Sequence, residues 1–133
     1  MTEDEVRQAA RELVAAFGQG RVDEYFDRFA ADATFLFHGE SERLRSRDTY
    51  RELWRVWESE DGFRVLACRS IDPAVTMLGV DSALFVHDVD TRVVTREGEQ
   101  RLAERETIVF VRRAGRWLAV HEHLSPRPQR SEG

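Results

Sequence analysis

ELVAAFGQGRVDEYFDRFAADATF, residues 12–35, changes its hydrophobic period twice, and the reading of the fold turns on those changes. Leu13, Val14 and Phe17 continue a helical spacing begun at Val6, Ala9 and Ala10, behind a Thr2-x-x-Glu5 pair of capping-box form. Gly18 and Gly20 end that helix, because glycine tolerates the backbone that closes one. Val22, Tyr25, Phe26 and Phe29 mark a short second helix, closing over residues 30–32. The apolar run ATFLFH then reads as a strand over residues 33–38.

Residues 39–45 are polar loop, and Ser46 caps a third helix carrying Tyr50, Leu53, Trp54 and Trp57, which stops before Asp61-Gly62. From residue 63 onward the period is that of strands: 63–71, 75–78, 82–95, 101–113 and 116–124. Asp72-Pro73, Gly79, Glu97-Gly98 and Ala114-Gly115 mark the turns between them. Helices first and strands after them is an α+β pattern. One domain over residues 1–125 is expected. The closing SPRPQRSEG has little to bury, so residues 126–133 are expected to fray.

The 133 residues suffice for one core, and the single Cys68 excludes an internal disulfide or a cysteine-rich metal site. All 20 basic residues are arginine. Without lysine there is no Schiff-base chemistry, covalent pyridoxal phosphate or phosphate-loop lysine. Asparagine is absent as well. A net charge of −5 with no basic stripe argues against nucleic acid. The opening MTEDEVRQAARELV is charged throughout, and no apolar run reaches the roughly 20 residues of a membrane span. A soluble cytoplasmic protein is expected.

The two longest strands are apolar on both faces: Leu84 and Val86 alternate with Phe85, and Ile108 and Phe110 alternate with Val109 and Val111. A sheet wet on one side alternates apolar with polar. Three helices cover only one face, so a homodimer through the outer face is expected.

Residues 12–35 resemble the start of the nuclear transport factor 2-like superfamily, and more narrowly its ketosteroid isomerase-like and SnoaL-like members. The resemblance rests on the first helix, the G-x-V-D-x-aromatic second helix and the D-A-T strand entry, with RWLAVHEHLS (116–125) matching the end of the same domain. It implies a cystatin-like α+β cone, in which a curved antiparallel or mixed sheet wraps around three N-terminal helices and opens into an apolar pocket. It also implies a dimer. The isomerase machinery does not carry over. Leu13 stands where that pattern has its tyrosine, Phe37 where it has its base and, within one residue, Thr107 where it has its protonated aspartate.

The resemblance turns Val120, Glu122 and Leu124 toward the pocket, and Leu118, Val120 and Leu124 do form an apolar stripe broken by Glu122. A buried carboxyl there has its pKa raised and becomes a base usable near neutral pH; the bland reading pairs it with Arg105. The catalytic candidates are therefore Glu122, with Arg105, Thr107 and His38 as polar helpers. Pocket-lining candidates are Leu13, Phe17, Tyr25, Phe29, Phe35, Phe37, Trp54, Trp57, Val109, Val120 and Leu124. Trp117, His121 and His123 then face the second subunit. Of His87 and Asp88, either faces in.

Three readings follow. The first is a domain that binds a small apolar molecule and performs cofactor-independent isomerisation, cyclisation, dehydration or hydrolysis. The second is a non-catalytic binding or dimerisation module. The third is a metal site using His121 and His123, completed by His87 or Glu104.

Overall fold

The computed structural model describes residues 2–128. Its elements are α1 (Thr2–Gly18), α2 (Val22–Asp27), β1 (Phe29–Phe37), α3 (Arg47–Asp61), β2 (Arg64–Gly79), β3 (Ser82–Thr95), β4 (Gly98–Arg113) and β5 (Arg116–Pro126). The strands form one open sheet in the order β1-β5-β4-β3-β2. Its pairs are antiparallel except β1 with β5, which is parallel. The sheet is therefore mixed, with the helices on one face.

Local chemistry explains the ends of the elements. Val6, Ala10, Leu13 and Ala16 recur every three or four residues and form the buried stripe of α1. The end of that helix presses on β2: a Cβ on Gly18 would stand 3.0 Å from the Cys68 backbone nitrogen, so only glycine fits without a shift. Ser46 caps α3 by accepting the Thr49 N–H at 3.1 Å, and Gly62 ends it in the left-handed region at φ 66°. Ala114 and Gly115, both at positive φ, close the tight turn between β4 and β5.

β1 and β2 differ most from the sequence reading. β1 starts at Phe29 rather than residue 33, because the Phe29 backbone region pairs with Ala119 before a register shift. β2 runs unbroken through Asp72-Pro73, where Asp72 adopts φ 53° and the ladder skips from Ile71 to Ala74. A bulge absorbs the proline that had suggested a turn. At the other end, β5 extends through Pro126, the Arg127 N–H donates to the Ala103 carbonyl and its guanidinium bonds Asp90 at 2.7 Å. The expected fraying thus does not begin at residue 126; residues 129–133 lie outside the described part.

A second bulge decides the site. Val109 pairs with His121 but the next residue, Phe110, pairs with Ala119, which leaves Val120 as the extra residue of β5. Before it, Trp117 and Ala119 turn toward the helices; after it, Glu122 and Leu124 do. Trp117 packs against the core and donates its indole N–H to Glu5 of α1 at 3.2 Å. It is not on the outer face expected for it.

Candidate active site

Helices and sheet leave between them a cavity of about 310 Å³. Its walls are Leu13, Val14 and Phe17 of α1, Tyr25 of α2, Tyr50, Trp54 and Trp57 of α3, then Phe63, Cys68, Val89, Thr91, Val93 and Leu102. At the end of β1, Phe37, His38, Gly39 and Glu40 form part of the lining. Asp61 at the end of α3, Glu104 and Glu106 of β4 and Glu122 and Leu124 of β5 complete it.

The carboxyls come together because of register. Ile108 stands opposite Glu122 and Glu106 opposite Leu124, so Glu106 and Glu122 are diagonal neighbours on the inner face. Glu106 is anchored from behind: its Oε1 accepts from His87 Nε2 at 2.6 Å, and His87 Nδ1 bonds Ser70 Oγ at 2.6 Å. With Nε2–H donating to the carboxylate, Nδ1 is left to accept the Ser70 hydroxyl proton. The ring is thereby fixed in one orientation.

Glu122 is only 3% exposed, and its Oε2 has no hydrogen-bond partner. Burial pushes its carboxyl well above the ordinary range, and the charge and hydrogen bonding of Glu106 and the charge of Glu104 push it further. Glu122 is therefore the proton holder of the pair. Glu104 is raised too, by burial, against the opposing pull of His38, whose Nε2 bonds its Oε2 at 2.6 Å. Tyr25 and Tyr50 share a buried hydrogen bond of 2.9 Å, and burial, then the nearby Glu122 charge, holds both phenols protonated. Desolvation pushes the Cys68 thiol up to about 12, so it stays unreactive at neutral pH. The Trp54 indole nitrogen, in the same wall, is buried with no partner.

Of the candidates named from sequence, Glu122, His38, Leu13, Phe17, Tyr25, Phe37, Trp54, Trp57 and Leu124 line this cavity. Phe29 and Phe35 do not; both are fully buried in the solid core beside it. Arg105, Thr107, Val109 and Val120 do not either. On β4 the buried positions are Glu104, Glu106, Ile108 and Phe110, so Arg105, Thr107 and Val109 face outward. Arg105 bonds Asp88 at 3.0 Å there and makes no pair with Glu122. His87 is the inward member of the His87-Asp88 pair. His121, bonded to Thr34 at 2.7 Å, and His123, opposite Thr107, lie on the outer face, whereas His87 and Glu104 lie on the inner one. The sheet separates that metal set, and no cluster of three metal-ligating side chains is found among the described residues.

Sequence reading missed Glu104, Glu106 and Tyr50 as cavity groups, and left the facing of His87, which anchors Glu106 from behind, open. A signal existed: Leu102, Ile108 and Phe110 share their parity, with both glutamates inside the same stripe. Val109 and Val111 made the opposite parity look equally apolar.

Helices packed on an open mixed sheet around a cavity define the cystatin-like, nuclear transport factor 2-like class of α+β domains. The chain belongs to the SnoaL-like domain family, which matches residues 6–128. Among solved structures it is similar to an NTF2-like protein of unknown function in nutrient uptake from Rhodospirillum rubrum, at 21% identity and TM-score 0.80, covering 94% of this chain and all of that one (100%). An uncharacterized protein with a cystatin-like fold from Caulobacter vibrioides gives 17% identity and TM-score 0.77 over 96% and 90% of the two chains. The CaMKII hub of S. rosetta gives 22% and 0.76 over 96% and 98%. These likenesses concern the fold. No curated protein matches the sequence. No helix among the described residues is long and apolar enough to cross a membrane.

Proposed function

We propose that this SnoaL-like domain binds a small, largely apolar molecule in the cavity and acts on it by cofactor-independent acid–base chemistry. The observation that carries the reading is the Glu106–Glu122 pair on the wall of an otherwise aromatic and aliphatic cavity. A carboxyl that burial keeps protonated, beside a second one held by a histidine, offers an acid and a base on one site. Glu106, held by the Ser70–His87 chain, is the base; Glu122, kept protonated, is the acid or the donor to a developing oxyanion. Isomerisation, dehydration and ring closure all need that couple. This replaces the expectation that Glu122 itself is the base.

The test has two arms. Native mass spectrometry of freshly purified protein identifies any retained molecule. Proton NMR in D2O then follows a panel of cyclic ketones, enones and β-hydroxyketones at pH 6–8 for exchange, isomerisation or loss of water. Turnover of at least one compound above the buffer rate is expected. A retained ligand with no turnover across the panel sinks the enzyme reading and leaves the binding module.

A second reading concerns the outer face. Leu84, Val86, Val109, Val111 and Leu118 remain only half-buried in the single chain. We infer that a second copy covers them, a reading supported by the likeness to a CaMKII hub. Light scattering is expected to return twice the 15.5 kDa chain mass, and Val109→Asp to return one chain. A wild-type monomer at ~50 μM, where a standard-size interface is populated, defeats this reading.

A further inference from the structure

We infer that the cavity takes an organic cation, a small protonated amine on an aromatic or alicyclic body that also carries an oxygen. The inference rests on the same site as the acid–base reading and names its substrate class; with this substrate bound, Glu122 is the counter-ion and the donor beside Glu106 is the protonated Tyr25–Tyr50 pair.

The charge inventory comes first. The chain holds 20 arginines, and none among the described residues lines the cavity. Five acidic side chains do: Glu40, Asp61, Glu104, Glu106 and Glu122. An anion would meet these with no basic partner except His38, which already bonds Glu104. Negative potential focused by low-dielectric walls draws in positive charge.

The walls come second. Tyr25, Tyr50, Trp54 and Trp57 belong to one aromatic cluster, with ring centroids 5.7 to 6.3 Å apart between neighbouring rings. Ring faces attract a cation that has shed its water, tryptophan most strongly. Rings together with carboxylates suit an ammonium group better than a hydrocarbon, which gains nothing from the charges.

The unpartnered atoms come third. Glu122 Oε2 and Trp54 Nε1 are buried, each on a residue 3% exposed, and neither has a hydrogen-bond partner. A neutral hydrocarbon leaves both unsatisfied, which a buried polar atom rarely is. An ammonium N–H satisfies Glu122 Oε2 once that carboxyl is ionised, and a hydroxyl or carbonyl oxygen on the same ligand accepts from Trp54. The balance is one proton out for one cation in: Glu122 gives up its proton to solvent as the ammonium arrives. The titratable groups facing it are Glu104 and Glu106 from β4, Tyr25 from α2, Tyr50 from α3 and Cys68 from β2.

Three matched probes decide the matter by calorimetry on the full chain: 2-amino-1-phenylethanol, 1-phenylethane-1,2-diol and mandelate, which share one body and differ in charge. The amine is expected to bind at least tenfold tighter than the diol, and mandelate not measurably. Between pH 6 and 8 its affinity should rise, by at most tenfold per unit, with proton release seen as a buffer-dependent heat. Glu122→Gln should remove that pH dependence and weaken the amine at pH 8 at least tenfold, while Arg105→Ala on the outer face leaves it unchanged. Diol binding as tight as the amine, or amine binding without proton release, overturns the cation and keeps the small-molecule site. Binding of none of the three overturns the cation as well; if, in addition, no molecule is retained on purification and no compound of the NMR panel is turned over, the acid–base reading falls with it.

Discussion

Glu106→Gln is expected to lower turnover by about 10²–10⁴-fold, the range a positioned general base contributes, for whichever compound the wild type converts. The substitution keeps the shape and an oxygen that accepts from His87 Nε2, so the Ser70–His87 chain survives and the protein stays folded. What it removes is the group able to take a proton. It also removes the first charge that pushes Glu122 upward, so Glu122 should titrate closer to an ordinary carboxyl in this variant. Rates from the NMR assay and a pH titration of the variant check both statements. Full activity in a folded Glu106→Gln protein would remove Glu106 from the base role.

Glu122→Gln is expected to change how stability depends on pH. The folded value of Glu122 is raised well above its unfolded one, mainly by burial. Above the unfolded value of about 4.3, the unfolded chain loses this proton while the folded chain keeps it. The contribution is therefore whole below about pH 4.3 and declines as pH rises toward and through the folded value, by at most about 1.4 kcal/mol per unit. Glutamine has no proton to lose, so urea unfolding at pH 5, 6.5 and 8 should show the variant gaining on the wild type until the folded value of Glu122 is passed. Two parallel profiles would mean that Glu122 is solvated or paired in solution. Glu104, also raised by burial, adds a weaker slope of the same sign in both proteins.

The contrast between these glutamates shows what a strand pattern reveals. Glu122 stood out because it interrupts Leu118, Val120 and Leu124. That argument reached the right residue through a partly wrong parity, since the bulge at Val120 turns Trp117 and Ala119 inward while Glu122 and Leu124 stay inward beyond it. A bulge is one extra residue in one strand, and its position depends on the partner strand's ladder. Glu104 and Glu106 were passed over for the same kind of reason. With valines on one face of β4 and isoleucine and phenylalanine on the other, period-two patterning cannot choose between faces. The choice belongs to the helices, which cover one face only.

Sequence alone determined the class of fold, the order of helices and strands and the capping of α3 at Ser46, because those follow from spacing and local backbone chemistry. It also determined the absence of lysine chemistry and the presence of a glutamate where an apolar residue was due. Tertiary structure decided the parallel joining of β1 to β5, the continuity of β2 through Pro73 and the inward turn of His87, Glu104 and Glu106. Those are choices of register and facing between distant segments, each settled by which face the helices bury, and no single segment carries that information.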